Sequence, residues 1–429
     1  MNPIEEVSRG SGLDGYPYAF HIALDGNGLN GLEGRAGVCV FHYDPVSGRH
    51  TSRIEYYDGL SGGHAISLSP DRRTGFLGNT GQHLAFYDTA RPEETERVST
   101  LRFEPTDSSI KGSTHAVWLD GTTGITAVGE SFWQFDVNRL TAAENIGAHG
   151  LKLPHAIKRT ASGRHLVYGG MDHPRRGEAC EVGIFDLERR AHRVVELPAT
   201  CWHVATHPTE DRFYALSFRV VPQEGRDWHE WAMAYFKEYV FEIDADSGRV
   251  LRHWTAAGDI PAHINSDVCL SDRELIYCTG GSNTVVLIDL ADFSSFRIID
   301  ERPDLRHQVK AGRQAARQVL DVLTRGSALA STKHFLAALR VTRGTLVDGV
   351  YACQVSADQT LLFTANRGLN TITVYDYPAC TVRLRVKMPD LHHHVDGLRP
   401  WSDPRLGFHH GALISPQERR QPSTATEYS

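Results

Sequence analysis

Apolar and polar residues alternate along most of this chain in short runs that are separated by turns. A representative stretch is His64-Ala-Ile-Ser-Leu-Ser-Pro-Asp71, which is followed by Gly75-Phe-Leu-Gly-Asn79 and by Leu84-Ala-Phe-Tyr-Asp88. Runs of about four to eight residues with a period of two, bounded by Gly, Pro, Ser and Asp, are typical of β-strands. The pattern therefore predicts a protein built almost entirely of short strands.

The same unit recurs along the chain: an apolar strand, a turn with Ser-Pro-Asp or its equivalent, a second strand, and a third strand that ends near Asp. Six copies align, and they begin at or near His64, His115, His155, Trp202, Ser266 and Tyr351. Most of the spacings approach the roughly 40 to 50 residues of one propeller blade, and the longer ones indicate insertions.

A seventh copy is divided between the two ends of the sequence. The stretch His410-Gly-Ala-Leu-Ile-Ser-Pro416 is a first strand without successors, whereas residues 18–57 supply later strands without a first strand. Their pairing would complete one blade and leave the array no open strand edges. We therefore predict an all-β, seven-bladed β-propeller that forms a single domain over residues 1–429, with its ring closed by the N- and C-terminal segments.

Two insertions interrupt the repeats. Residues 301–349 contain two stretches with helical apolar spacing, which predicts a helical insertion in an otherwise strand-like chain. Residues 222–238 include Trp228, Trp231, Met233, Tyr235 and Phe236. This aromatic insertion is expected either to form a wall of a pocket for an apolar ligand or to pack on the flank of the propeller.

Histidines recur at one position of the repeat. The first strand of a blade lines the channel, and alignment on the turns places His64, His115, His155, Tyr351 and His410 at its first residue, at one mouth. His203 lies one residue after the aligned Trp202, and His263 lies three residues before the aligned Ser266. Since the chain has 23 histidines among 429 residues, this register is not expected by chance. The sequence predicts a ring of six histidines around one mouth.

A ring of neutral imidazoles suggests a metal site on the propeller axis. Imidazole nitrogen suits Fe, Cu, Ni and Zn, whereas Mg and Ca prefer oxygen ligands. The alternative is a structural belt of histidines without metal. Tyr351 interrupts the ring, and we expect it either to act in catalysis, by donating a proton, orienting bound oxygen or ligating weakly, or to plug the channel through a hydrogen-bonded hydroxyl.

Several segments resemble those of a known enzyme family. The C-terminal Leu406-Gly-Phe-His-His-Gly411 is similar to the closing Gly-Phe-His-Gly segment of the carotenoid cleavage dioxygenases, and His155-Ala-Ile-Lys158, His203-Val-Ala-Thr206 and His263-Ile-Asn265 resemble its earlier ligand segments. The resemblance implies a propeller in which four histidines, His155, His203, His263 and His410, hold one Fe(II) that binds O₂. The blade repeats also resemble lactonase and YVTN-type propellers, which implies a fold and not a function.

Composition narrows the possible partners and the compartment. The formal charge is -7, from 45 basic and 52 acidic residues, so the chain lacks the basic field that nucleic acid binding requires. The N-terminal segment has neither a basic start nor an apolar run, and no apolar stretch is long enough to span a bilayer. The seven cysteines show no C-x-x-C pair. We expect a cytoplasmic protein with reduced thiols.

These observations leave three functional hypotheses. The first is a non-haem metalloenzyme, an Fe(II) dioxygenase-like oxidoreductase that uses O₂ on a moderately apolar small molecule, with Cu, Ni or Zn as alternative metals. In it His155, His203, His263 and His410 are the preferred ligands, with His64 and His115 as alternatives or pocket bases. The second is a redox-neutral lyase, isomerase or lactonase with a Lewis-acid metal. The third is a non-catalytic propeller that binds a protein partner.

Overall fold

The structure is a computed structural model, and it describes the greater part of the chain. The residues described are 5–6, 15–26, 32, 35–60, 62–80, 83–94, 101–102, 114–139, 143–171, 179–219, 239–255, 265–280, 283–301, 349–398 and 403–416. The predicted helical insertion therefore lies outside the described residues except for its ends, Glu301 and Gly349. The predicted aromatic insertion 222–238 lies outside them entirely.

The described residues form strands and two short 3₁₀ helices, Pro92–Glu94 and Leu391–His393. The strands are, in chain order, β1 (Glu5–Glu6), β2 (Tyr18–Gly26), β3 (Arg35–Tyr43), β4 (His50–Asp58), β5 (Gly63–Leu68), β6 (Thr74–Asn79), β7 (His83–Asp88), β8 (Leu101–Arg102), β9 (Ala116–Trp118), β10 (Thr123–Val128), β11 (Ser131–Asp136), β12 (Glu144–Ala148), β13 (Pro154–Arg159), β14 (His165–Gly170), β15 (Glu181–Asp186), β16 (Ala191–Glu196), β17 (Thr200–Thr206), β18 (Arg212–Arg219), β19 (Tyr239–Asp244), β20 (Val250–Thr255), β21 (Asn265–Leu270), β22 (Glu274–Thr279), β23 (Thr284–Asp289), β24 (Phe296–Asp300), β25 (Val350–Val355), β26 (Leu361–Asn366), β27 (Thr371–Asp376), β28 (Thr381–Lys387) and β29 (Phe408–Ile414).

These strands form seven antiparallel sheets, one for each predicted blade. Blades 1 to 6 are β5 to β8, β9 to β12, β13 to β16, β17 to β20, β21 to β24 and β25 to β28, and blade 7 is β29-β2-β3-β4. The innermost strands β5, β9, β13, β17, β21, β25 and β29 each contact the next, and β29 contacts β5. The predicted seven-bladed β-propeller is thereby confirmed, including its closure by the two ends of the chain.

Pairing between the two ends of the sequence completes blade 7. Strand β29 runs antiparallel to β2, with Ala19 opposite Ile414 and Phe20 opposite Leu413. Strand β1 adds a second terminal contact, because it pairs in parallel with the outer strand β28 of blade 6. Strands near both ends of the chain therefore pair within neighbouring blades.

No helix among the described residues has the length and apolar character needed to cross a membrane.

The Ser-Pro-Asp turns and the apolar strand faces explain why the repeat folds in this way. In the first copy the Asp71 carboxylate accepts a hydrogen bond from the Ser69 hydroxyl and one from the Arg73 amide, which stabilises the reversal between β5 and β6. The apolar faces pack between blades. Phe363 of blade 6, for example, contacts the rings of Tyr18 and Phe20 of blade 7. The core is thus distributed between sheets, and the channel remains for polar side chains.

Candidate metal centre at the channel mouth

A bulge near the start of most inner strands determines which side chains reach the mouth. In β5 and β13, two residues that begin with His64 and His155 face a single residue of the second strand. In β29 the two residues between Phe408 and Gly411, which are His409 and His410, likewise face one residue of β2. Bulges redirect side chains and are common near functional sites. Here they bring His64, His155, His409 and His410 close together.

Six histidine side chains converge at this mouth, and we refer to them as the histidine cluster: His64, His115, His155, His203, His409 and His410. His64 is its centre, since its ring centroid lies 4.2 Å from that of His409, 4.8 Å from that of His155 and 5.0 Å from that of His410. The His115 ring is 5.1 Å away. His203 lies at the other side, 4.9 Å from both His155 and His410.

Two groups of three histidines have ligand nitrogens close enough to share an ion. One group is His64 with His115 and His155, and the other is His64 with His409 and His410; in each, the nitrogens lie within 4.8 Å of one another. Two nitrogens bonded to one tetrahedral metal at about 2.1 Å are about 3.4 Å apart, so modest rotations of these rings would suffice. His64 belongs to both groups.

Polar groups lie beside Nδ1 of two cluster histidines, and one of these groups fixes the tautomer. The Nδ1 atom of His155 lies 3.2 Å from the carbonyl oxygen of Trp202, which can only accept a hydrogen bond. His155 is therefore protonated on Nδ1, and its Nε2, which lies 2.8 Å from Nε2 of His64, carries a lone pair. The Nδ1 atom of His115 lies 3.1 Å from the Thr114 hydroxyl. The carbonyl leaves Nε2 of His155 available as a metal ligand, whereas the hydroxyl of Thr114 can either accept from or donate to His115.

Burial keeps four of the cluster histidines neutral. Loss of hydration lowers the pKa of His64, His115, His203 and His409 well below the usual value, and repulsion by neighbouring imidazoles lowers it further. Lys158 adds to this effect at His115 and His203, and Arg367 adds to it at His409. Neutral imidazoles retain the lone pairs that a metal requires.

Tyr351, the predicted catalytic residue, lies beside the histidine cluster. It is the extra residue of the bulge in β25, and its ring centroid is 5.4 Å from that of His409. The guanidinium carbon of Arg367 lies 5.1 Å from the Tyr351 ring centre. Tyr351 is half-buried, so its position at the mouth is compatible with either role that the sequence left open.

The structure brings together most of the predicted ligands. His64, His115, His155, His203 and His410 all belong to the cluster, whereas His263 lies outside the described residues. The tight groups around His64 differ from the set implied by the carotenoid-dioxygenase resemblance, in which His64 had no ligand role.

Two residues of the site were missed by sequence reasoning. Alignment on the Ser-Pro turn assigned one histidine to the last blade, but the bulge in β29 admits His409 beside His410. Asp267, in the inner strand of blade 5, places Oδ1 3.6 Å from Nδ1 of His410. The available signals were a histidine pair at a strand start and a carboxylate directly before the apolar run Val268-Cys-Leu270.

Comparisons with known proteins support the fold. No protein-family model and no curated protein matches the sequence, so the lactonase-like and carotenoid-dioxygenase resemblances have no support from sequence families. Among solved structures, hydrazine synthase from Kuenenia stuttgartiensis is similar with a TM-score of 0.50 and 15% identity over 77% of this chain and 87% of that chain. Dihydro-heme d1 dehydrogenase NirN in complex with DHE matches with a TM-score of 0.48 and 10% identity, over 83% of this chain and 64% of that chain. At such identity the likeness to hydrazine synthase indicates a shared propeller fold and no more.

Proposed function

We propose that this protein is a metal-dependent enzyme whose transition-metal ion is bound by the histidine cluster, next to His64. The observation that carries the proposal is the pair of three-histidine groups with ligand nitrogens within 4.8 Å, which share His64. The ligands are drawn from His64 and from His115, His155, His409 and His410 around it. Donors of nitrogen alone favour Fe, Cu, Ni or Zn over Mg or Ca.

A metal explains this arrangement better than a structural belt does. Burying a polar group without a partner costs about 1–3 kcal/mol, and the Nδ1 atom of the half-buried His409 has no hydrogen-bond partner among the described residues. The cluster rings also lower one another's pKa, so they gain nothing from proximity as charged groups. A bound cation would satisfy several lone pairs at once.

For the reaction we propose Fe(II)-dependent oxidation of a moderately apolar small molecule by O₂. An iron ion in a neutral histidine shell supplies one-electron redox chemistry and coordination positions for small ligands. The chain contributes neutral donors, with the Trp202 carbonyl beside His155 and the Thr114 hydroxyl beside His115. We assign proton donation or orientation of a ligand to Tyr351, whose ring lies 5.4 Å from that of His409. Burial of the cluster limits competing reactions with water.

Metal analysis of untagged protein tests the proposed site. We expect close to one equivalent of a transition metal in the wild-type protein and a loss of at least tenfold in His64→Ala. His253→Ala is the matched control, because His253 is an exposed histidine on the outer strand β20, and it should retain full occupancy. Less than about a tenth of an equivalent of any transition metal after reconstitution would refute the proposal and favour a non-catalytic binding propeller.

Oxygen consumption tests the proposed reaction. Fe(II)-loaded protein should consume O₂ in the presence of a suitable apolar substrate, and the His64→Ala variant should not. Turnover of the same substrates without O₂ consumption would replace the oxidative hypothesis with the redox-neutral one, in which the ion acts as a Lewis acid.

A further inference from the structure

Asp267 is a buried carboxylate in the wall of the channel. It is the third residue of the inner strand β21, its residue exposure is 8%, and the next residues, Val268 and Cys269, are buried and apolar. Carboxylates are rarely buried unless they are paired or hydrogen-bonded, because loss of hydration is costly. The contacts of Asp267 therefore indicate what it does.

These contacts connect the inner strands of three consecutive blades. Oδ1 of Asp267 accepts a hydrogen bond from the Val268 amide of blade 5 at 2.9 Å. Oδ2 accepts one from the Cys353 amide of blade 6 at 3.3 Å and one from the Gly411 amide of blade 7 at 3.4 Å. Gly411 directly follows His410, so the carboxylate is fixed against the backbone that carries this histidine.

The same carboxylate faces the His410 ring. Its Oδ1 atom lies 3.6 Å from Nδ1 of His410, within ion-pair range. The group beside Nδ1 is the Trp202 carbonyl in the case of His155 and the Thr114 hydroxyl in the case of His115. A carboxylate accepts a hydrogen bond more strongly than either of these neutral groups.

We infer that Asp267 is a positioning residue, which holds His410 in the tautomer protonated on Nδ1 and so presents the Nε2 lone pair to the histidine cluster. The role of Nε2 as a metal ligand rests on the proposed function, whereas the tautomer does not. A carboxylate in this place fixes the ring orientation and makes the opposite nitrogen a better donor.

Nitrogen-15 NMR of metal-free protein labelled at histidine tests the tautomer directly. We expect an Nδ1–H signal pattern for His410, assigned by its disappearance in His410→Gln, and a change towards the Nε2–H form in Asp267→Asn. Glu301→Gln is the matched control: Glu301 is another buried carboxylate, bonded to Thr364 and Asn366 away from the cluster, and this variant should leave the His410 pattern unchanged. An Nε2–H pattern in the wild type would overturn the inference, even if Asp267→Asn does not fold.

Zinc titration tests the consequence for metal binding. Loss of a partner that orients a ligand typically weakens affinity about 10- to 100-fold, so we expect a shift of this size in Asp267→Asn, a smaller one in Asp267→Glu and none in Glu301→Gln. Equal affinity of Asp267→Asn and wild type would count against the positioning role. A wild type that binds no metal at all would refute the proposed function, while the NMR result would still decide the tautomer.

Discussion

The metal-free protein should lose stability steeply as the pH falls below about 6.5. Four cluster histidines, His64, His115, His203 and His409, have their pKa lowered well below the usual value by burial and by each other. In the unfolded chain each would titrate near about 6.5. The unfolded state therefore binds more protons than the folded state at acidic pH, and the stability that is present above the unfolded pKa disappears below it.

The size of this stability loss follows from the number of protons that the unfolded chain binds and the folded protein does not. Each histidine that remains neutral in the folded state but titrates in the unfolded one contributes up to about 1.4 kcal/mol per pH unit. For four such residues the loss between pH 6.5 and 5.5 is about 4 kcal/mol, and the limiting slope at lower pH is about 5 kcal/mol per unit. This is a large part of the roughly 5–15 kcal/mol by which a folded protein is stabilised.

Urea unfolding of chelator-treated protein at pH 7.5, 6.5 and 5.5 measures this dependence. Replacement of His115 by Gln should reduce the acid slope by up to about 1.4 kcal/mol per pH unit, whereas the exposed control His253→Gln should leave it almost unchanged. Bound Zn²⁺ should protect the fold at pH 5.5, because the metal competes with protons for the same lone pairs. A free energy of unfolding that stays constant between pH 7.5 and 5.5 would show that the cluster is hydrated or charged, contrary to the structure.

Three further outcomes are expected. Replacement of Tyr351 by Phe should preserve metal content and, if its hydroxyl transfers a proton, lower turnover by about 10²- to 10⁴-fold in a steady-state assay; unchanged turnover would leave Tyr351 a channel plug. Replacement of Gly169 by Ala should lower the free energy of unfolding by about 1–3 kcal/mol and weaken metal binding. The reason is that the new Cβ would lie 2.1 Å from the Trp202 carbonyl oxygen, which orients His155. Calorimetry would measure the loss of stability, and a metal titration would measure the loss of affinity. Removal of residues after Arg405 should abolish cooperative unfolding, because β29 closes blade 7, and a sharp transition in the truncated chain would contradict this.

The blades were predictable from the sequence because each depends on local alternation and on turns. The Ser-Pro-Asp reversals at Asp71 and its equivalents appear directly in the residue pattern, and so does the orphan strand that ends near Pro416. Closure follows from the same pattern, since an isolated first strand and a set of later strands leave edges that only each other can cover. Apart from this closure, which joins segments far apart in the sequence, the topology was determined by information close together along the chain.

The details of the site depend on features that alternation does not encode. A bulge inserts one residue and reverses the side-chain direction that a period of two would assign. For this reason a strict alignment gave blade 7 one histidine and overlooked His409. Asp267 was overlooked because its significance arises from the amides of Cys353 and Gly411, which are far away in the sequence.

Glycines in the second strands of blades 1 and 3, opposite the bulges, allow the backbone of the next blade to pack closely. A Cβ at Gly78 would lie 1.8 Å from the Thr114 carbonyl oxygen, and one at Gly169 would lie 2.1 Å from that of Trp202. In both places the backbone beside a cluster histidine of the next blade occupies the space of the missing side chain. The groups that orient His115 and His155 are thus held by contacts between blades, so the precision of the cluster depends on the closed ring. Mutations that loosen blade packing should therefore weaken metal binding before they unfold the protein.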